Sequence, residues 1–214
     1  ANVKHWIDGI LTSQREDGWF GPRALLTSLD GKIDFWPNML ALNILQSYYE
    51  FTGDQRVLPF MTRYFKFEMS VPENEFILGY WPHMRAGDNL ESVYWLYNRT
   101  GEKWLLELGE KIHRHTADWT GGVPNWHGVN ITQCFREPAI HSMQTRDPKD
   151  FQATERDYQT VMGLYGQVPG GMFGADENAR RGRIGPRQAA ETCSMVEFMH
   201  SFEMLLKISA DPLW

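Results

Sequence analysis

The sequence predicts an all-α chain made of repeated helix-turn-helix pairs. Three observations carry this reading: a Thr-Gly-Asp-like turn that recurs along the chain, apolar residues at helical spacing on both sides of it, and no convincing pair of strands between the copies. Short turns alternate with long loops rich in Gly, Pro and aromatic residues, at 14–36, 70–87, 116–127 and 166–187. Short turns at one end of the helix pairs and long loops at the other are the plan of an α/α toroid, whose long loops build the site.

The two clearest copies of the turn are Thr52-Gly53-Asp54, followed by Val57-Leu58, and Thr100-Gly101-Glu102, followed by Trp104-Leu105. Weaker copies stand at Thr145-Arg146-Asp147-Pro148 and Ser209-Ala210-Asp211-Pro212. Glycine supplies the left-handed cap that ends the first helix of a pair, and the acid caps the second and suits the positive end of its dipole. Helices are expected at about 2–13, 37–52, 55–69, 88–100, 103–115, 128–145, 149–165 and 188–209. Asp211-Pro212-Leu213-Trp214 matches the start of a second helix, and the first helix lacks a preceding partner. Residues 1–214 are therefore expected to be an interior part of a catalytic barrel, with the remainder of the polypeptide as a natural partner and no activity of their own.

A hydrophobic share of 42% in 214 residues suffices for a packed core. A net charge of −6 with no basic stripe excludes a phosphate-backbone partner, so nucleic acid is not expected. No run approaches the roughly 18–20 apolar residues of a membrane span. The two cysteines, Cys134 and Cys193, are too few for a disulfide scaffold, and a buried thiol is the plain structural reading of each. None of these features assigns a compartment.

Four segments carry chemistry: Gln14-Arg15-Glu16-Asp17-Gly18-Trp19-Phe20-Gly21, His127-Gly128-Val129-Asn130, Gly170-Gly171-Met172-Phe173-Gly174-Ala175-Asp176-Glu177, and Glu191-Thr192-Cys193-Ser194. In this order and spacing they resemble the bacterial β-L-arabinofuranosidase family, glycoside hydrolase family 127, along nearly the whole chain. The Glu-Thr-Cys segment is the most specific of them. The resemblance implies a portion of an (α/α)6 toroid that acts as a retaining hydrolase on plant-derived or similar glycans. It implies a Zn2+ ion held by Glu191 and Cys193 with a Cys-Cys pair from a later segment, one of whose thiolates is the nucleophile. That pair is absent from these residues. The resemblance further makes Glu177 the acid/base and puts His127 in the sugar pocket. Asp88 stands where the family carries a histidine, so the resemblance does not fix the sugar.

The residues can also be read on their own chemistry. Glu191 and Cys193, two positions apart at the start of a helix, offer an oxygen and a sulfur that zinc accepts; the alternative is a capping carboxylate beside a small buried thiol. Glu177 ends a glycine-rich loop that can bring a carboxyl to a bound sugar, with Asp176 as a rival acid; two adjacent carboxylates raise one pKa, whereas Arg180, Arg181 and Arg183 lower it. An ordinary solvated loop acid remains the alternative. Trp126 and His127 pair an aromatic face with a polar tip, as sugar pockets do, or else form a helix-start histidine packed on its neighbours. Trp81, His83 and Arg85 form a similar loop cluster, and with Asp88 they supply further candidate sugar contacts. Trp95, Trp104 and Tyr48 are assigned to the core, as is an apolar stripe of Met195, Phe198, Met199, Phe202 and Leu206. Two other classes stay open: a metal-independent helical-barrel sugar epimerase or lyase working through His83 and His127, and a non-catalytic α/α scaffold that presents a groove.

Overall fold

The computed structural model describes residues 2–167, 171–185 and 187–214, and so leaves Gly170 of the expected glycine loop outside the described residues. Among them the chain is all-α, without a strand, in two compact units, Ala1–Thr116 and Ala117–Trp214. The first unit holds α1 (Asn2–Thr12), α2 (Trp36–Thr52), α3 (Val57–Ser70), α4 (Tyr80–Arg85), α5 (Gly87–Thr100) and α6 (Trp104–His115). The second holds α7 (Gly128–Cys134), α8 (Glu137–Thr145), α9 (Pro148–Tyr165) and α10 (Thr192–Ser209). No helix among the described residues is long and apolar enough to cross a membrane.

The expected turn is built four times on one plan. The residue after each first helix is left-handed: Gly53 at φ 68°, Gly101 at 70°, Arg146 at 60° and Ala210 at 56°. The hydroxyls of Thr52, Thr100, Thr145 and Ser209 then accept from the amides of Asp54, Glu102, Asp147 and Asp211. The carboxylates of Asp54, Asp147 and Asp211 accept in turn from the amides of Arg56, Lys149 and Leu213 at 2.9–3.0 Å. In three of the four turns one amide left over after the first helix of the pair is thereby met by the acid within six consecutive residues.

In the first unit α2, α3, α5 and α6 pack on one another. The Gln14–Gly21 turn is a wedge against α3. Gln14 Nε2 donates to the Phe60 carbonyl at 2.9 Å, Arg63 Nε donates to Gln14 Oε1 at 2.7 Å, and the fully buried Trp19 ring meets Phe35, Tyr64 and Phe67. A side chain at Gly18, where φ is +97°, would put its Cβ 2.3 Å from the Arg63 carbonyl oxygen, which explains the glycine. Full burial of each such ring is worth roughly 1.5–3 kcal/mol. Glu68, also fully buried, accepts from Asn89 Nδ2 at 2.7 Å, and burial pushes its pKa from 4.5 to about 7. Lys111 Nζ donates to the carbonyls of Glu68, Met69 and Val71 and so closes the end of α3.

The core differs from expectation in three places. Trp95, Trp104 and Tyr48 are only half-buried; the Trp95 indole donates to Glu50, which also pairs with Arg99, and the Trp104 indole donates to Glu102, while the buried rings include Trp19, Phe35, Tyr64, Phe76, Trp119 and Phe135. The expected helix 128–145 is two helices, since Pro138 lacks an amide hydrogen and its ring would strike the Cys134 carbonyl. On α10 only Phe198 of the expected stripe is buried and Phe202 half-buried, while Met195, Met199 and Leu206 are exposed.

At the α7–α8 break lies Arg136, fully buried, whose Nη1 donates to Ser201 Oγ at 2.6 Å; Ser201 Oγ donates to the Thr132 carbonyl. These bonds fasten the middle of α10 to the end of α7.

Candidate active site

The candidate site lies in the second unit, where the loop between α9 and α10 runs back across two helix starts. Gly174 N donates to the Tyr165 carbonyl at 2.9 Å, Gly128 N to the Glu177 carbonyl at 2.8 Å, Ala179 N to the Trp126 carbonyl at 2.8 Å, and Glu191 N to the Ala175 carbonyl at 3.1 Å. Single-residue bridges join His127 to Asn178 and Ala175 to Ala190. The backbone thus lays Glu177 beside His127, at the start of α7, and Glu191, at the start of α10.

His127, 7% exposed, has extended backbone at the N-cap of α7. Its Nδ1 accepts from the Asn130 amide at 3.3 Å, and its Nε2 lies 3.0 Å from Glu177 Oε1. Asn125 Oδ1 accepts from the His127 amide at 2.8 Å and from Asn130 Nδ2 at 3.0 Å. Glu191 is the extended N-cap residue of α10, yet its side chain makes no capping bond, and its buried Oε2 has no hydrogen-bond partner. One ligand atom each from His127, Glu177 and Glu191 lie within 4.8 Å of one another, a set of nitrogen and oxygen donors suited to a divalent cation.

Arg180 sets the two loop acids apart in their surroundings. Its Nη1 donates to Asp176 Oδ2 at 2.8 Å, and Asp176 Oδ1 accepts from the Glu177 amide at 2.9 Å. The Arg180 hydrogen bond, helped by that amide, holds Asp176 below the usual carboxylate range. An acid kept ionised has no proton to give. Glu177 is left with 60% of its side chain exposed and one oxygen facing His127.

Of the other residues singled out in the sequence, Trp126 is half-buried with its ring 5.4 Å from Tyr165. Cys134 is buried as expected, whereas Cys193, the second residue of α10, is exposed rather than buried and stands outside the His127–Glu177–Glu191 set. His83 and Asp88 belong to the first unit. His83 Nδ1 donates to the His115 carbonyl at 2.8 Å, which leaves Nε2 as the acceptor, and Asp88 is fully buried in the first turn of α5. Arg85 sits with its guanidinium carbon 4.4 Å from the Trp36 ring and 4.5 Å from the Trp81 ring. Sequence reasoning missed Asn125, although an Asn two residues before a helix-start histidine is a readable turn signal.

Helix pairs with an acid-bearing long loop laid over two helix starts form an α/α architecture whose long loops can build a site. The family model described as the β-L-arabinofuranosidase GH127 catalytic domain matches residues 1–214, and the chain belongs to that family. No curated protein matches the chain.

Proposed function

We propose that this domain removes a terminal β-L-arabinofuranosyl or similar sugar from plant-derived glycans with retention at the anomeric carbon, with Glu177 as acid and then base. The observation that carries the proposal is the pairing of Glu177 Oε1 with His127 Nε2 at 3.0 Å on a side chain that substrate can still reach. As an electron pair of the nucleophile forms a bond to the anomeric carbon, the C–O bond breaks and its electron pair goes to the leaving oxygen, which takes the proton of Glu177. The resulting carboxylate later takes a proton from the water whose oxygen bonds to the anomeric carbon and displaces the nucleophile. Trp126 offers a face for the sugar ring.

Family membership supports a zinc-bound cysteine thiolate as the attacking group, supplied by residues other than these. The unpartnered Oε2 of Glu191 fits a ligand role, and with Cys193 it would hold the ion; zinc, when bound, keeps a coordinated thiol in the thiolate form. A second reading, favoured by the 4.8 Å cluster, has the ion between His127, Glu177 and Glu191.

The test is a Glu177→Gln variant of the full-length enzyme assayed on methyl and aryl β-L-arabinofuranosides. The expected loss is on the order of 10²–10⁴-fold on the methyl glycoside and much smaller on the aryl one, whose leaving group needs little protonation. Equal losses on both would refute the assignment.

A further inference from the structure

We propose that His127 is a positioning residue for Glu177, its tautomer dictated by the start of α7. This rests on Glu177 being the proton donor. A helix start leaves amides without acceptors, and at α7 the one from Asn130 is met by His127 Nδ1 at 3.3 Å. A backbone amide can only donate, so Nδ1 presents its lone pair and the ring of a neutral His127 carries its hydrogen on Nε2. That hydrogen points at Glu177 Oε1, 3.0 Å away. Oε1 is thereby held as an acceptor, which leaves Oε2 as the oxygen open to a leaving group.

The ring and the acid are held from both sides. Asn125 Oδ1 grips the His127 amide, and the next amide, that of Gly128, donates to the Glu177 carbonyl. The 7% exposed ring has little room to turn. Both ring nitrogens are spent, Nδ1 on Asn130 and Nε2 on Glu177, so a sugar hydroxyl would have to displace one of these bonds to use the imidazole. The geometry therefore assigns His127 to aiming the acid, so that one carboxyl oxygen faces the leaving group at each turnover.

Two substitutions in the full-length enzyme separate capping from aiming. Serine caps a helix well but is too short to reach Glu177, whereas glutamine caps poorly and keeps a donor of similar reach. His127→Ser is expected to melt close to the parent and to lose roughly 10–100-fold in kcat on methyl β-L-arabinofuranoside, about threefold or less on the aryl glycoside, with KM nearly unchanged. His127→Gln is expected to melt lower and to recover the methyl-glycoside kcat to within about tenfold of the parent. Equal losses of His127→Ser on both glycosides, or a raised KM at unchanged kcat, would overturn the aiming role while leaving Glu177 as acid, provided Glu177→Gln still separates the two substrates. If Glu177→Gln does not separate them, the proton donor falls and the aiming role with it. Should His127→Ser fail to fold, the methyl-to-aryl rate ratio of His127→Gln decides: parental supports the proposal, as low as that of Glu177→Gln refutes it.

Discussion

The amide of Gly128 donates to the carbonyl of Glu177 at 2.8 Å, and the space beside it has no room for a methyl group. A Cβ at Gly128 would lie 2.9 Å from Ser194 Oγ and 3.0 Å from Ala175 Cβ. The serine can swing away, but the alanine methyl cannot move without its backbone. Gly128→Ala should therefore push the Glu177 loop or the start of α10 outward, at a cost of roughly 1–3 kcal/mol. Thermal melts and kcat on the methyl glycoside check this, and a variant with parental values of both would show that the close approach is not needed.

Metal content separates the two zinc readings. With the ion on Glu191 and Cys193, elemental analysis of the full-length enzyme should find zinc lost in both Glu191→Gln and Cys193→Ser and kept in His127→Ser. With the ion in the three-residue cluster, Cys193→Ser should keep its zinc and His127→Ser should lose it. One zinc per chain surviving all three changes would reject both.

Arg146 occupies the left-handed position that glycine fills at 53 and 101. A non-glycine residue there carries about 1–2 kcal/mol of strain, and glycine costs about 0.5–1 kcal/mol more chain entropy, so Arg146→Gly should gain up to about 1 kcal/mol. Gly53→Ala should lose a similar amount. A denaturant series on both variants reads the two signs, and a loss in Arg146→Gly would mean that the arginine side chain makes good its own strain.

Glu68 gives stability a pH dependence of known sign. Its pKa is 4.5 when unperturbed and about 7 in the folded chain, because burial penalises the charge. The folded state thus holds the proton more tightly than the unfolded one. Its contribution is fully present below about pH 4.5 and is lost as pH rises through about 7. Glu68→Gln should flatten this window, leaving a Tm that falls less than the parent's between pH 5 and about pH 8. An unchanged slope would show that other groups set it.

The parts of this fold that are legible in sequence are those decided locally. The Thr/Ser-x-Asp/Glu register places all four turns because the hydroxyl, the left-handed residue and the acid satisfy one another within a few positions. Pro138 is a readable break between α7 and α8, but it stands inside an apolar pattern at helical spacing that continues on both sides of it. Half-burial of Trp95 escaped because helical spacing does not show that Arg99 lies over its ring at 3.8 Å. The pairing of His127 with Glu177 joins residues 50 apart through a loop whose path depends on backbone bonds to α7, and no spacing rule reports it. Nor could composition show which loop acid Arg180 engages, since three arginines follow Asp176 and Glu177 and only the side-chain placement pairs Arg180 with Asp176.

The four turns have a consequence for how the chain is assembled. Each closes with bonds that span no more than a few residues, so a helix pair can be set as soon as its own stretch of chain exists, before any distant partner has arrived. The long loops do the reverse, since Glu177 reaches His127 only after α7, α8 and α9 have been laid down. The His127–Glu177 pairing thus waits on chain made well after the turns, and an error in it would leave the helices in place while removing the geometry on which the proposed acid depends.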